Sequence, residues 1–150
     1  MFLFELIGGL LDEMRPKRGP RGRSRQRAVG DEAEEFALKF LRAECRFKLV
    51  ERNVEDEDGE LDLVGRIKGN EGLVVVEVRS RTEGGLLTPR EAVDLRKQRQ
   101  VVETAQRIFR RRGWHDVVRF DVVGVYLGPD GKPTKAEHFP DAFDRGVLRR

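Results

Sequence analysis

Two β-type runs held apart by a short turn constrain this chain more than any other feature. Gly59 to Ile67 alternates Leu61 and Leu63 against Glu60, Asp62 and Val64, and Leu73 to Arg81 is rich in valine. Between them lies Lys68-Gly69-Asn70-Glu71-Gly72, which is turn chemistry, so the two runs are expected to form an antiparallel hairpin. Folding it about Gly69-Asn70 sets Asp62 opposite Glu77 and brings Arg79 onto the same face, two positions along. A carboxylate between Leu61 and Leu63 is expensive to bury without a partner, and two carboxylates placed directly opposite repel unless a cation lies between them. An oxygen-ligand divalent ion, Mg²⁺ or Mn²⁺, would resolve the conflict. An ordinary sheet surface would also resolve it, with Arg79 and its neighbours cross-paired to the acids. Spacing alone does not decide between the two.

The rest of the chain reads as one domain. Hydrophobic residues are 38% of the 150 and glycines number 16, a normal share for a globular chain. Ala33, Phe36, Ala37, Phe40 and Leu41 follow helical spacing, which predicts an amphipathic helix over 31–45. A short strand is expected over 47–53. Thr88-Pro89-Arg90-Glu91 carries an N-cap, a first-turn proline and a capping-box glutamate, so a long helix is expected from there to Arg112, ending at Gly113. Val117 to Leu127 is β-branched enough for a buried strand, Pro129-Asp130-Gly131 is a turn, and a short strand and a last helical turn complete the chain. No internal repeat is present.

Several chemistries are excluded by count. Cys45 is the only cysteine, which rules out an internal disulfide or a cysteine-cluster zinc site. His115 and His138 fit no helical metal-ligand spacing. Neither Ser24 nor Ser80 sits in a nucleophile elbow. No apolar run approaches the ~18 residues that span a bilayer, and Phe2 to Leu11 lacks the preceding basic residues of an export signal; the expectation is a cytoplasmic protein without integral membrane association.

Charge is unevenly spread. Charged residues make up 38% of the chain, against about a quarter in a typical domain. Arg15, Lys17, Arg18, Arg21, Arg23, Arg25 and Arg27 fall within thirteen residues that hold no acid and no apolar side chain. Such a segment buries nothing, so 1–28 is read as a flexible leader with a basic arm (15–27), ahead of a folded domain over 29–150. Such an arm suits nucleic acid as the partner, with an anionic lipid surface or mere solubility as the alternatives.

Three segments then carry a resemblance. Gly59-Glu60-Leu61-Asp62-Leu63-Val64, Val75-Val76-Glu77-Val78-Arg79-Ser80-Arg81 and Arg119-Phe120-Asp121-Val122-Val123 together resemble the bacterial YraN-like family, a branch of the PD-(D/E)XK or restriction-endonuclease-like superfamily. Ala33-Glu34 followed by Ala37 and Leu41, Asn53, and Lys97 add to the match, which covers about residues 30–143. The resemblance implies an α/β fold with a restriction-endonuclease-like core, ordered helix, three-stranded meander, helix, strand, in a mixed sheet flanked by helices. It implies that Asp62 and Glu77 bind the metal, with Glu34 a further candidate, and that Arg79 stands at the superfamily's usual lysine. Arginine does not lose its proton in practice, so Arg79 is a phosphate clamp rather than a general base. Lys97 lies on the stripe Val93, Lys97, Val101, Ala105, Ile108 and would help position the phosphate. Glu34 has a rival reading: with Asp31 as N-cap it falls at the capping-box position, and the structural role is preferred.

The expectation is a nucleic-acid-binding, Mg²⁺- or Mn²⁺-dependent nuclease with Asp62, Glu77, Arg79 and Lys97 as its catalytic group. The basic arm and Arg81 would contact the strand, with DNA ahead of RNA. Two alternatives stand beside it: a non-catalytic binding module with a degenerate site, and a Holliday-junction resolvase-like enzyme, which would form a homodimer.

Overall fold

The computed structural model describes residues 20–84 and 93–150, with side chains from residue 27 onward. Helix α1 (Pro20–Cys45) leads into strands β1 (Lys48–Asp56), β2 (Gly59–Arg66) and β3 (Leu73–Thr82). Helix α2 (Leu95–Arg112) follows, then β4 (Val118–Leu127), β5 (Pro133–Phe143) and a 3-10 turn over Arg145–Arg149. The strands form one sheet in the order β1-β2-β3-β4-β5. Only β3 and β4 run parallel, because α2 carries the chain back across the sheet between them; the other neighbours are antiparallel. The result is a mixed five-stranded sheet flanked by two helices, the restriction-endonuclease-like α/β arrangement that the sequence resemblance implied.

The sheet is buried on both faces, and its strands divide their side chains between two cores. Val74, Val76, Val123 and Val125 pack with Ala33, Ala37 and Leu41 of α1. Leu73, Val75, Phe120 and Val122 pack with Val101, Ala105 and Ile108 of α2. The helical stripe read on α2 is therefore its buried face, and Val93, just ahead of the helix, is buried with it.

Several boundaries differ from the sequence expectation. Helix α1 starts at Pro20 rather than at 31, so the segment from Pro20 to Arg27, read as a flexible arm, is helical, and the division at 28/29 falls inside a helix. Arginine and glutamine are good helix formers once a packed segment has supplied the nucleus, and proline is tolerated at the first helical position. Gly30, beside the expected domain start at 29, is carried in mid-helix with nothing nearby for a side chain to meet. Arg15, Lys17 and Arg18 lie outside the described residues. Helix α2 begins at Leu95, capped by the Asp94 carboxylate, which accepts from the Lys97 amide at 2.7 Å. The start expected at Thr88–Glu91 falls outside the described residues. The end is as read: Gly113 adopts the left-handed conformation at φ 66° and its N–H reaches back to Arg110. Strand β1 is longer than expected, and β5, expected to be short, has 11 residues.

Between β1 and β2 the turn is clamped to α2. Asp56 accepts from the amides of Asp58 and Gly59 at 2.9 Å each and is gripped by the Arg107 guanidinium at 2.7 and 3.2 Å. Arg107 holds the Asp56 carboxyl down at about 2. This clamp fixes the start of β2, where the acidic residues sit.

Candidate functional site

The hairpin register is the one expected. Leu63 faces Val76, Val64 faces Val75 and Gly65 faces Val74, and one further step would set Asp62 against Glu77. The ladder stops there. The Asp62 Oδ2 instead accepts the amide N–H of Val78 at 2.8 Å, doing with a side chain what the next backbone pair would have done. Beyond this point β3 continues with β4 alone, as far as Thr82. The two strands thus part at the acidic residues, and the gap lies beneath α1 and beside the start of α2.

Three carboxylates converge in this gap. One oxygen each from Glu34, Glu60 and Asp62 lie within 4.8 Å of one another. Asp62 as a residue is partly exposed, but its carboxylate is withdrawn from water; burial and then the neighbouring charge of Glu77 push it well above the usual range, against the pull of the Val78 amide. Burial and Glu60 raise Glu34, with Asn53 and Arg52 opposing. Burial, Glu55 and Glu77 raise Glu60. Burial is the leading cause in all three, and a neighbouring carboxylate adds to it in each.

The Oε2 atom of Glu34 is buried without a hydrogen-bond partner, its nearest cation being Arg52 at 3.8 Å. Arg52 is committed elsewhere, to Glu35 at 2.9 Å. An orphaned carboxylate oxygen beside two more carboxylates suits an oxygen-ligand divalent cation, so the residues fit Mg²⁺ or Mn²⁺. The reading of Glu34 as a helix cap is corrected: α1 extends well before Asp31, so Glu34 lies in mid-helix with no free amides to cap.

Glu77 stands just outside this trio. It is 3% exposed, and its Oε1 lies 3.4 Å from the Lys97 Nζ and 3.5 Å from the Arg79 Nε. The structure thus brings Asp62, Glu77, Arg79, Lys97 and Glu34 into one neighbourhood, but groups the acids as Glu34–Glu60–Asp62 rather than as a simple Asp62–Glu77 pair. The Arg79 Nε is buried with no hydrogen-bond partner. Arg27 is exposed, and its charge reaches Glu60, so α1 brings this arginine toward the cluster. Arg21, Arg23 and Arg25 lie on the same helix. Arg81 follows on β3, close enough for its charge to act on Tyr126.

Sequence reasoning passed over Glu60, although its period-two spacing from Asp62 placed both on one side of the strand. Arg52 gave no such signal. Asp121, part of the third matching segment, plays a structural role. It is fully buried, accepts from Arg119 at 2.8 and 2.7 Å and from the Asp141 amide at 2.9 Å, and lies 2.7 Å from the His138 Nε2. Burial alone would raise its carboxyl, but these partners outweigh that and hold it below the usual range. Among the described residues no helix is long and apolar enough to cross a membrane.

Comparison with known proteins places this geometry. The model of "Uncharacterised protein family UPF0102" matches residues 33–125, which contain every member of the acidic cluster together with Glu77, Arg79 and Lys97. A UPF0102 protein of Anaeromyxobacter dehalogenans is 46% identical over 127 residues, covering 84% of this chain and 90% of its own. One from Porphyromonas gingivalis is 43% identical over 114 residues, 76% of this chain and 82% of its own. Another from Clostridium beijerinckii is 33% identical over 116 residues, 77% and 92% respectively. With the family model spanning most of the chain and relatives matching along nearly their whole length, the chain belongs to UPF0102, the YraN family to which its motifs pointed.

Proposed function

We infer that this protein is a divalent-metal-dependent phosphodiesterase acting on nucleic acid, DNA ahead of RNA. The observation that carries the reading is the Glu34–Glu60–Asp62 trio with its orphaned oxygen, set beside two cations. Glu34, Glu60 and Asp62 would hold the ion, with Glu77 adjoining. When bound, Mg²⁺ or Mn²⁺ would supply Lewis acidity toward a phosphodiester.

The chain's own residues account for the rest. Lys97 and Arg79 are anchored by Glu77, so their charges are fixed before substrate arrives, and fixed charge stabilises a developing anion without reorganisation cost. With its Nε turned to Glu77, the partly exposed Arg79 guanidinium offers its remaining donors to a phosphate oxygen. Arg27 extends positive potential from the cluster, which suits a polyanion.

A non-catalytic nucleic-acid-binding module is the second reading, and Arg79 favours it, because arginine cannot serve as a general base. Cleavage of single-stranded, duplex, flapped and four-way-junction substrates, in DNA and RNA, with Mg²⁺ and with Mn²⁺, tests the choice. Metal-dependent cleavage abolished by Asp62→Asn is the expected result. Binding with every substrate left intact, in wild type and in Arg79→Lys alike, would give the case to the binding module.

A further inference from the structure

A second site lies at the other end of α2. A cavity of about 690 Å³ opens where Phe109 and Arg110 meet the turn after the helix, Trp114 to Val118, with Arg145 on its far side. Lys97 and Arg110 lie at opposite ends of α2, about 20 Å apart at ~1.5 Å rise per residue, so this cavity is separate from the acidic cluster.

Its chemistry has two halves. The inner wall is aromatic: Phe109 and Phe120 are buried, and Trp114 meets Phe109 edge-on at 5.2 Å and 78°. The indole is held in place, because its backbone amide donates to the Phe109 carbonyl at 2.9 Å and the Arg112 guanidinium lies 5.8 Å from the ring. The rim is cationic. Arg107, Arg111 and Arg112 each grip an acid, Asp56, Glu57 and Glu51 in turn. Arg110 and Arg145, the two arginines that line the cavity, have no acidic partner among the described residues, and Asp116, the acid of the lining, is neutralised by Arg66 at 3.1 Å. The arginines of the last turn also outweigh the negative end of the helix dipole.

We propose that this groove binds a nucleotide unit of a single-stranded nucleic acid, the base against Trp114 and a phosphate against Arg110 and Arg145. A fixed aromatic face beside uncommitted arginines is the pairing that single strands use, since every base has a π-face and every step a phosphate. An acidic peptide would satisfy the rim and leave the aromatic wall without a partner. The inference rests on the reading of this protein as nucleic-acid binding, but not on cleavage or on a metal.

Trp114 is the only tryptophan of the chain, so its emission reports this groove alone. The full chain is titrated with a short oligothymidylate in the presence of chelator, following tryptophan fluorescence and, in parallel, anisotropy of a labelled oligonucleotide. Saturable quenching that tracks the anisotropy is expected. Arg145→Glu, a change at an exposed side chain that spares the core, should weaken binding at least several-fold. Trp114→Ala, read by anisotropy, should weaken it by about 5- to 150-fold, the range of one lost base stack. Anisotropy that rises while the emission stays unchanged would overturn the groove and leave the nucleic-acid reading standing. Equal quenching by thymidine monophosphate, with no gain from a strand, would overturn it in favour of a free-nucleotide site. No binding in either channel would overturn both, whereas quenching without metal-dependent cleavage would uphold the groove and sink the nuclease.

Discussion

Removing one carboxylate from the acidic trio should make the metal-free protein more stable. Two unit charges 4.8 Å apart repel by about 3.5 kcal/mol at an effective dielectric of ~20; Glu34 and Glu60 each bring an oxygen within that distance of Asp62, and Glu77 is the acid whose charge raises Asp62 most. The nearby charges of Arg52 and Lys97 offset part of this, so only a fraction of the repulsion is recoverable. Asp62→Asn keeps an oxygen for the Val78 amide, so the hydrogen bond at 2.8 Å need not be lost. A gain of about 1–3 kcal/mol is expected in chelator near pH 8, or about 3–10 °C in Tm for a chain of this size. Excess Mn²⁺ should reverse the order: a ligand at one hundred times its Kd adds about 2.7 kcal/mol to a protein that binds it, and the asparagine variant should gain far less. Differential scanning calorimetry of both proteins, with chelator and with Mn²⁺, reads all four values. An asparagine variant no more stable than wild type in chelator would refute the charge argument, and equal stabilisation of both by Mn²⁺ would move the metal elsewhere.

Three further outcomes are expected. Asp121→Ala strands Arg119 and removes the acceptor of four contacts, so chemical denaturation should show a loss of about 3–5 kcal/mol, with any nucleic-acid binding by the surviving folded fraction unchanged. Asp56 has a folded-state carboxyl depressed to about 2, so its contribution is fully present above the ordinary aspartate value of ~3.9 and is lost as pH falls through about 2. Acid melts of wild type and Asp56→Asn should therefore converge over that window, and curves that stay parallel would dismiss the Arg107 clamp. Arg79→Ala should cut metal-dependent cleavage by about 10²–10³-fold with little change in binding, while Arg79→Lys should keep or raise activity; equal rates in all three would remove Arg79 from the chemistry.

The sheet was legible in the sequence because its determinants are local. The Lys68–Gly72 turn and the alternation on either side fix the register to the residue, and that register led directly to the neighbourhood of Asp62 and Glu77. The stripe on α2 was legible for the same reason, and so was its glycine stop. What failed depended on distant parts of the chain. Pro20 to Arg27 has the composition of an arm and is helical as an extension of a segment anchored on the sheet by Ala33, Ala37 and Leu41. Once that helix begins early, the cap reading of Glu34 fails with it. The sorting of the acids could not be read either: whether Glu34 or Glu77 joins Asp62 depends on how α1 crosses the sheet and on Lys97 arriving from α2 to occupy Glu77.

That sorting is the physical logic of the site. A buried acid needs either a cation or a proton. Glu77 is answered from within the fold by Lys97 and Arg79, and Asp121 by Arg119 and the Asp141 amide, with the His138 imidazole closing the set. Asp56 is answered by Arg107. Glu34, Glu60 and Asp62 are not answered in the same way. Arg52, the cation nearest Glu34, makes its short contact with Glu35, and the Asp62 carboxylate keeps one backbone amide, at the point where β2 and β3 part. A fold that neutralises its other buried acids so fully leaves Glu34 and Asp62, with the exposed Glu60 beside them, short of positive charge at a break in its own sheet, and it is there that the proposed function puts a divalent cation.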